Sequence, residues 1–463
     1  MTYSVKRRLY EALPVAIKRG VGLVPFGWWA GEAYRLVYGR RDWFDKASQE
    51  DLRQYQERQL DSALKFAVEH VPAFQSFRTV VSRYKPTDAL KEFPLLDKDT
   101  IQKNQVSYLP RIINKIPHYV TTTGGTSGNQ LKIYLEDCSQ SVELGFMHRQ
   151  WLRVGYTPKH RKATFRGVSF PDVKPGVYWQ HNPLYNELQF SPFHMNEINL
   201  GSYVDQLIQY SPSYLHGYPS ALDIMAEYIL RHNLTGKLPK INAALLGSEG
   251  VSTSQRRRIE QAFNTRAYSW YGHSERAVLA GECEVNSTYH HIPDYGFLEI
   301  VDGRGVACDQ DGDRGEIVGT GFFNRCMPLI RYRTGDYAIR VNSRCDCGRI
   351  WHRFTNVEAH RKQEAILGKR GTKISIAALN MHGAIFERVV RSQYSQDVPG
   401  ICVLKVMANP EFTERDRMAI QAAYQSKVGD ELQFNVVVVD DIPLTARGKL
   451  KVIESRLNTM DAQ

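Results

Sequence analysis

Between about Tyr119 and Arg353 the chain alternates stretches that suit strands with stretches that suit helices, and no other feature constrains its fold as much. Residues 220–232 and 254–263 carry apolar side chains at helical spacing. Residues 295–301 and 315–319 read as strands parted by a turn rich in Gly and Asp. Such alternation predicts an α/β core. After Lys362 the pattern restarts with a strand over 401–407, a helix from the cap Thr413 through Tyr424, a strand over 434–439 and a loop around Lys449. That restart predicts a compact α+β domain of its own. Upstream, residues 49–69 predict an amphipathic helix. Ser48 is its N-cap with Asp51 three residues on, and Leu52, Tyr55, Leu60, Leu64, Ala67 and Val68 form its apolar stripe.

Composition narrows the class. At 463 residues the chain exceeds what one core usually serves, so a large and a small domain are expected. No run approaches the ~18 uninterrupted apolar residues of a membrane span. Seven dispersed cysteines do not form a disulfide pattern and no secretory signal opens the chain, so a reducing cytoplasm is expected. The net charge of +11 suits a polyanionic small molecule, a nucleic acid or a membrane surface. The basic residues are scattered and no nucleic-acid-binding motif is present, so nucleic acid is not expected. In the first forty residues Lys6, Arg7, Arg8, Lys18 and Arg19 mix with Leu9, Tyr10, Leu13, Ile17, Trp28 and Trp29. That mixture fits a helical arm packed on the main domain; the alternative is peripheral contact with the inner face of a membrane.

Four short segments carry chemistry. In TTTGGTSGNQ (Thr121 to Gln130), Gly124, Gly125 and Gly128 allow tight turns that bring backbone N–H groups toward a polyanion, and Thr123, Thr126 and Ser127 add hydroxyl donors. No Lys-Ser/Thr pair follows, so it is not a Walker A loop; a plain surface turn is the bland reading. In YGHSER, Tyr271 beside Gly272 suits stacking on a flat base, and the Glu275 carboxylate suits Mg²⁺. His273, without a visible partner, reads as structural. In RYRTGD, Asp336 at a strand end suits both hydroxyls of a ribose, while Arg331 reads as a salt-bridge partner in the core. Lys449, in a loop after Gly448, offers a flexible point charge for a transition state. Cys345 and Cys347 form a knuckle-like pair, and Cys283 with the His290-His291 pair lies on a separate segment. Two such ligand pairs meet the needs of a closed Cys₃His zinc site; reduced, unmetallated cysteines are the alternative.

In this order, the four segments resemble the adenylate-forming ligases, most closely the phenylacetate:CoA ligase family and its capsule-biosynthesis ligase-like branch, over roughly residues 84–453. The resemblance implies a large N-terminal domain (1–360, with 1–80 a helical arm) binding ATP and a carboxylic acid, and a small mobile C-terminal lid (361–463). It maps Thr123 to Gln130 onto the family's S-S-G-T-T-G-K-P, with Asn129 where a lysine is common. It sets Glu249 in the G-x-E segment beside adenine, Tyr271 on adenine, Asp336 on ribose, Glu275 on Mg²⁺ and Lys449 at the reacting phosphate. Arg361 and the hinge residue Gln363 stand in a degenerate copy of the family's G-R-x-D-D. Some members share E-C, H-I and C-x-C-G segments, which here implies zinc ligands Cys283, His291, Cys345 and Cys347. CoA is the implied second substrate, with Lys369, Arg370 and Lys373 near its phosphates. An amine acceptor and a non-catalytic nucleotide-binding scaffold are the alternatives. Residues 165–218 are rich in aromatics, and no motif there names the acid.

Overall fold

The predicted helix over 49–69 forms as Gln49–His70, and its start is set as the sequence implies: Ser48 accepts the Asp51 amide and Asp51 returns a bond to the Ser48 backbone. Leu52, Leu60, Leu64, Ala67 and Val68 are buried along one stripe. The computed structural model describes residues 3–13, 15–122, 131–167, 176–358, 365–381, 384–443, 452–455 and 457. The helices Pro219–Arg231 and Thr253–Phe263 and the strands Gly296–Val301 and Arg314–Gly321 stand where the sequence pattern puts them.

The chain divides into two compact units. The first comprises Met1–Val120, Ile133–Pro158 and Tyr268–His360; the second comprises Thr121–Lys132, Lys159–Ala267 and Arg361–Gln463. In the first, seven strands lie side by side in the order Gly296–Val301, Arg314–Gly321, Tyr332–Val341, Arg353–Glu358, Tyr289–His291, Leu279–Glu282 and Ala267–Gly272. Every neighbouring pair is antiparallel. The helix Ser139–Trp151 belongs to this unit. It is anchored by Arg149, which is fully buried, makes a two-pronged ion pair to Asp294 and lies against the rings of Phe44 and Phe146.

In the second unit, Ala243–Leu246, Tyr214–Gly217, Lys162–Phe165 and Glu187–Phe190 run parallel, with Trp179–Asn182 antiparallel at the edge. All four parallel strands are buried throughout, as expected when helices cover both faces of a parallel sheet. Residues 365–455 add a four-stranded sheet, Gln433–Val438, Ile401–Ala408, Val389–Val398 and Ile453–Ser455, with the helix Glu414–Val428 capped by Thr413.

One apolar cluster holds Phe165, Leu215 and Leu246 of the parallel sheet together with Leu404, Phe434 and Val436 of the C-terminal sheet. The compact unit is therefore discontinuous in sequence, whereas the expected boundary at 360 is linear. The approach is close. A Cβ on Gly167 would lie 2.5 Å from the Ala378 carbonyl oxygen, and one on Gly429 would lie 3.0 Å from His194. At the same place the buried Lys427 donates to the Asn380 carbonyl at 2.7 Å and sits 5.8 Å above the Phe193 ring. Burial alone lowers its pKa, to about 7. The aromatics of 165–218 are largely used here: Phe165 and Phe190 stack at 4.7 Å in the core, beside buried Phe193 and Tyr203.

Candidate functional site

Asp336 does not sit at a strand end. It lies inside Tyr332–Val341, directly after Gly335, whose φ of +76° is open to glycine. The register with the neighbouring strand shifts between Glu316 and Val318, opposite the stretch that holds Asp336. Glu316 holds the turn: it accepts the Gly335 amide at 3.0 Å and pairs with Arg333 at 2.6 Å. Arg331 is a core salt-bridge residue, as expected, bound to Glu299 and to the carbonyls of Lys91 and Phe93.

Two carboxylates are then presented by two buried tyrosines. The Tyr271 hydroxyl donates to Asp336 Oδ2 at 3.0 Å, and the Tyr332 hydroxyl donates to Glu275 Oε1 at 3.0 Å. Burial, then the Asp336 charge, hold the Tyr271 phenol far above its ordinary range, so it stays a donor. Burial works to raise Glu275, but the hydrogen bond from His273, with the charge of Lys98, overrides it and holds the acid down to about 2. His273 has a partner that its sequence context did not reveal. Its Nε2 accepts the Val278 amide at 3.2 Å, so the proton rests on Nδ1, which points at Glu275 Oε2 3.0 Å away. The pair fixes the carboxylate and leaves lone pairs that suit a hard cation such as Mg²⁺.

Glu249 stands in the second unit, just after Ser248, a residue in the left-handed region at φ 68°. It accepts from the Ser220 amide and hydroxyl at 3.1 Å each and from the Ser375 hydroxyl; burial nonetheless raises its pKa. Next to it Arg166 donates to Ser248 at 2.6 Å and to His216 at 3.2 Å and stacks over Tyr218. No motif reading had singled out Arg166, which stands at the carboxyl ends of the parallel strands, the usual place for ligands in such sheets. Arg370, expected near CoA phosphates, is instead engaged by Asp430 and Glu431. Thr123, Gly124, Gly125, Thr126, Ser127, Gly128, Arg361, Gln363 and Lys449 lie outside the described residues.

The cysteine cluster assembles with one correction. Cys283, Cys345, Cys347 and His290 bring their ligand atoms within 4.8 Å of one another; His291 is not among them. Successive residues of a strand face opposite ways, so on Tyr289–His291 only one histidine can meet the thiols. His290 Nε2 lies 3.3 Å from Cys347 Sγ, whereas both ring nitrogens of His291 are buried without a hydrogen bond. His290 Nδ1 faces the Thr288 carbonyl at 3.1 Å, which orients Nε2 as a ligand. Burial, then the charge of Arg153, lower its pKa to about 4, keeping the imidazole neutral. The amides of Val285 and Asn286 and the Asn286 side chain donate to the Cys283 and Cys345 sulfurs at 3.3 to 3.4 Å. Donors turned toward sulfur fit thiolates, and the set fits a closed tetrahedral zinc site.

The fold is that of the adenylate-forming ligases. Solved structures of 2-hydroxyisobutyryl-CoA ligase superpose with TM-scores of 0.56 (in complex with 2-HIB-AMP and CoA, thioesterification state) and 0.55 (postadenylation state), each at 16% identity over 90% of this chain and 91% of the other. Residues 366–456 match the family model described as the CapK C-terminal domain. The chain is similar to Protein CapK of Staphylococcus aureus, 26% identical over 373 residues that span 78% of this chain and 79% of CapK. It is also similar to phenylacetate-coenzyme A ligase of Thermus thermophilus, 22% identical over 366 residues, 74% and 75% of the two chains.

Proposed function

We propose that this protein is an AMP-forming carboxylate ligase that passes its acyl group to CoA. The observation that carries the reading is the pair of carboxylates, Asp336 and Glu275, held by Tyr271 and Tyr332 in a fold shared with ligases solved with acyl-AMP and CoA. In the first half-reaction a carboxylate oxygen attacks the α-phosphorus of ATP, the bond to the β-phosphate bridge breaks and pyrophosphate leaves. In the second, the CoA thiolate attacks the acyl carbonyl and AMP leaves.

Asp336 accepts the ribose hydroxyls, Tyr271 packs on adenine, and Glu249 bounds the adenine pocket. Residues 123–128 cradle the phosphates, Arg361 adds a cation and Gln363 serves the hinge. Lys449 meets the charge that develops between acid and α-phosphate. Glu275, with His273 fixing it, holds Mg²⁺, which would neutralise phosphate charge. Zinc held by Cys283, His290, Cys345 and Cys347 would be structural, since four protein ligands leave no open position.

ATP–pyrophosphate exchange with aryl, aliphatic and hydroxy acids tests the first half. Acid-dependent exchange is expected, and its absence with all of them overturns the reading. The acyl-adenylate is then offered CoA and amines separately. Consumption driven by an amine but not by CoA replaces the thioester with an amide.

A further inference from the structure

The N-terminal arm has a two-sided character that the ligase reading does not use. Tyr3, Tyr10, Ala30 and Tyr34 are buried and tie the arm to the body of its unit, where Ser141 donates to the Ala30 carbonyl and Tyr34 meets His148 at 3.0 Å. On the helix Tyr3–Glu11, Val5 and Leu9 are one turn apart on the side away from Tyr3 and Tyr10, and both are exposed. The turn after the helix Val15–Val21 and the start of the helix Phe26–Ala30 are more apolar still: Leu23 is 86% exposed and Trp28 72%, with Val24 and Pro25 exposed between them. Solvent-facing apolar side chains this concentrated mark a binding surface.

Charge says what the surface binds. Residues 1–43 hold eight Lys and Arg against three acids, so nearly half of the net +11 falls in the first tenth of the chain. Lys6 reaches the Trp29 carbonyl at 3.4 Å, next to Trp28, and Lys18 the Glu11 carbonyl at 2.9 Å, which fixes two cations on the arm; Arg19 is exposed next to Lys18. The cores of protein interfaces are poor in lysine, whereas apolar and indole side chains ringed by Lys and Arg suit the boundary of an anionic bilayer. Among the described residues no helix is long and apolar enough to cross a membrane. We infer that this arm docks on an anionic phospholipid surface, with Leu23, Val24 and Trp28 in the headgroup region and Lys6, Lys18 and Arg19 on the phosphates.

The test is co-sedimentation of the full chain with phosphatidylcholine vesicles made with and without phosphatidylglycerol. Binding is expected with the anionic vesicles, reversed by high salt, and weak with phosphatidylcholine alone. Lys18→Gln with Arg19→Gln should weaken it on the order of twenty-fold, about fivefold per cation. Leu23→Ser with Trp28→Ser should weaken it by at least about tenfold while leaving the melting temperature unchanged, because both side chains face solvent. Three results overturn the inference: no sedimentation with anionic vesicles at low salt, sedimentation that neither variant weakens, or a concentration-dependent dimer without vesicle binding that Leu23→Ser abolishes.

Discussion

Replacing Lys427 with methionine should change how the stability of this protein depends on pH. The side chain leaves the helix Glu414–Val428, lies buried over the Phe193 ring and donates to the Asn380 carbonyl, and burial lowers its pKa from 10.5 to about 7. Its folded-state pKa lies below the unfolded value, so between pH 7 and 10.5 the unfolded chain binds more protons, and stability rises with pH across that window. At about 1.4 kcal/mol per unit, the native protein carries a cost of roughly 4 to 5 kcal/mol at pH 7 that vanishes near pH 10.5. Methionine keeps the volume, removes the titration and loses one hydrogen bond of about 1 to 2 kcal/mol. Urea denaturation of both proteins at pH 7, 8.5 and 10 reads the effect. The variant should be the more stable at pH 7, and its advantage should shrink by about 3 to 4 kcal/mol by pH 10. Parallel curves for the two proteins would refute the argument that burial lowers the pKa of this lysine.

Three further outcomes follow from the site. Lys449→Ala should slow pyrophosphate exchange by ~10²-fold or more while ATP binding, read by calorimetry, stays near native. Asp336→Ala should instead raise the KM for ATP more than it lowers kcat, because ribose contacts are made before the chemistry. His290→Ala should lower the zinc content found by metal analysis well below one equivalent and lower the melting temperature, whereas His291→Ala should keep the metal.

How far the sequence could be read depended on how local each determinant is. The Gln49–His70 helix was legible because its cap, box partner and apolar stripe all lie within the segment. Tyr271, Glu275 and Asp336 stood out in the sequence because each belongs to a short motif, and Tyr271 and Asp336 meet in the structure. The tyrosine donation to the carboxylates was not legible, since Tyr332 and Glu275 are 57 residues apart and meet only once the chain has folded. The choice between His290 and His291 turns on the phase of a three-residue strand, and two adjacent histidines give no hint of that phase. Likewise Asp336 read as a strand end because the T-G-D segment looks like a terminus; the register irregularity that keeps the strand going depends on its neighbour. Lys427 and Arg166 gave no signal at all, because one is defined by what buries it and the other by strands that converge from far along the chain.

The second unit is stitched from three stretches, and the last of them begins at residue 361. A ribosome delivers Phe165, Leu215 and Leu246 long before Leu404, Phe434 and Val436, with which they share one apolar cluster. Until residues 404–436 have been made, the parallel sheet must wait with part of its covering missing, in a state prone to wrong association. The long sequence separation also makes closure of this cluster a slow, non-local event. The demand on chaperones therefore lasts until residue 436 is made, and a truncation that removes residues 404–436 threatens the solubility of Phe165, Leu215 and Leu246 far upstream.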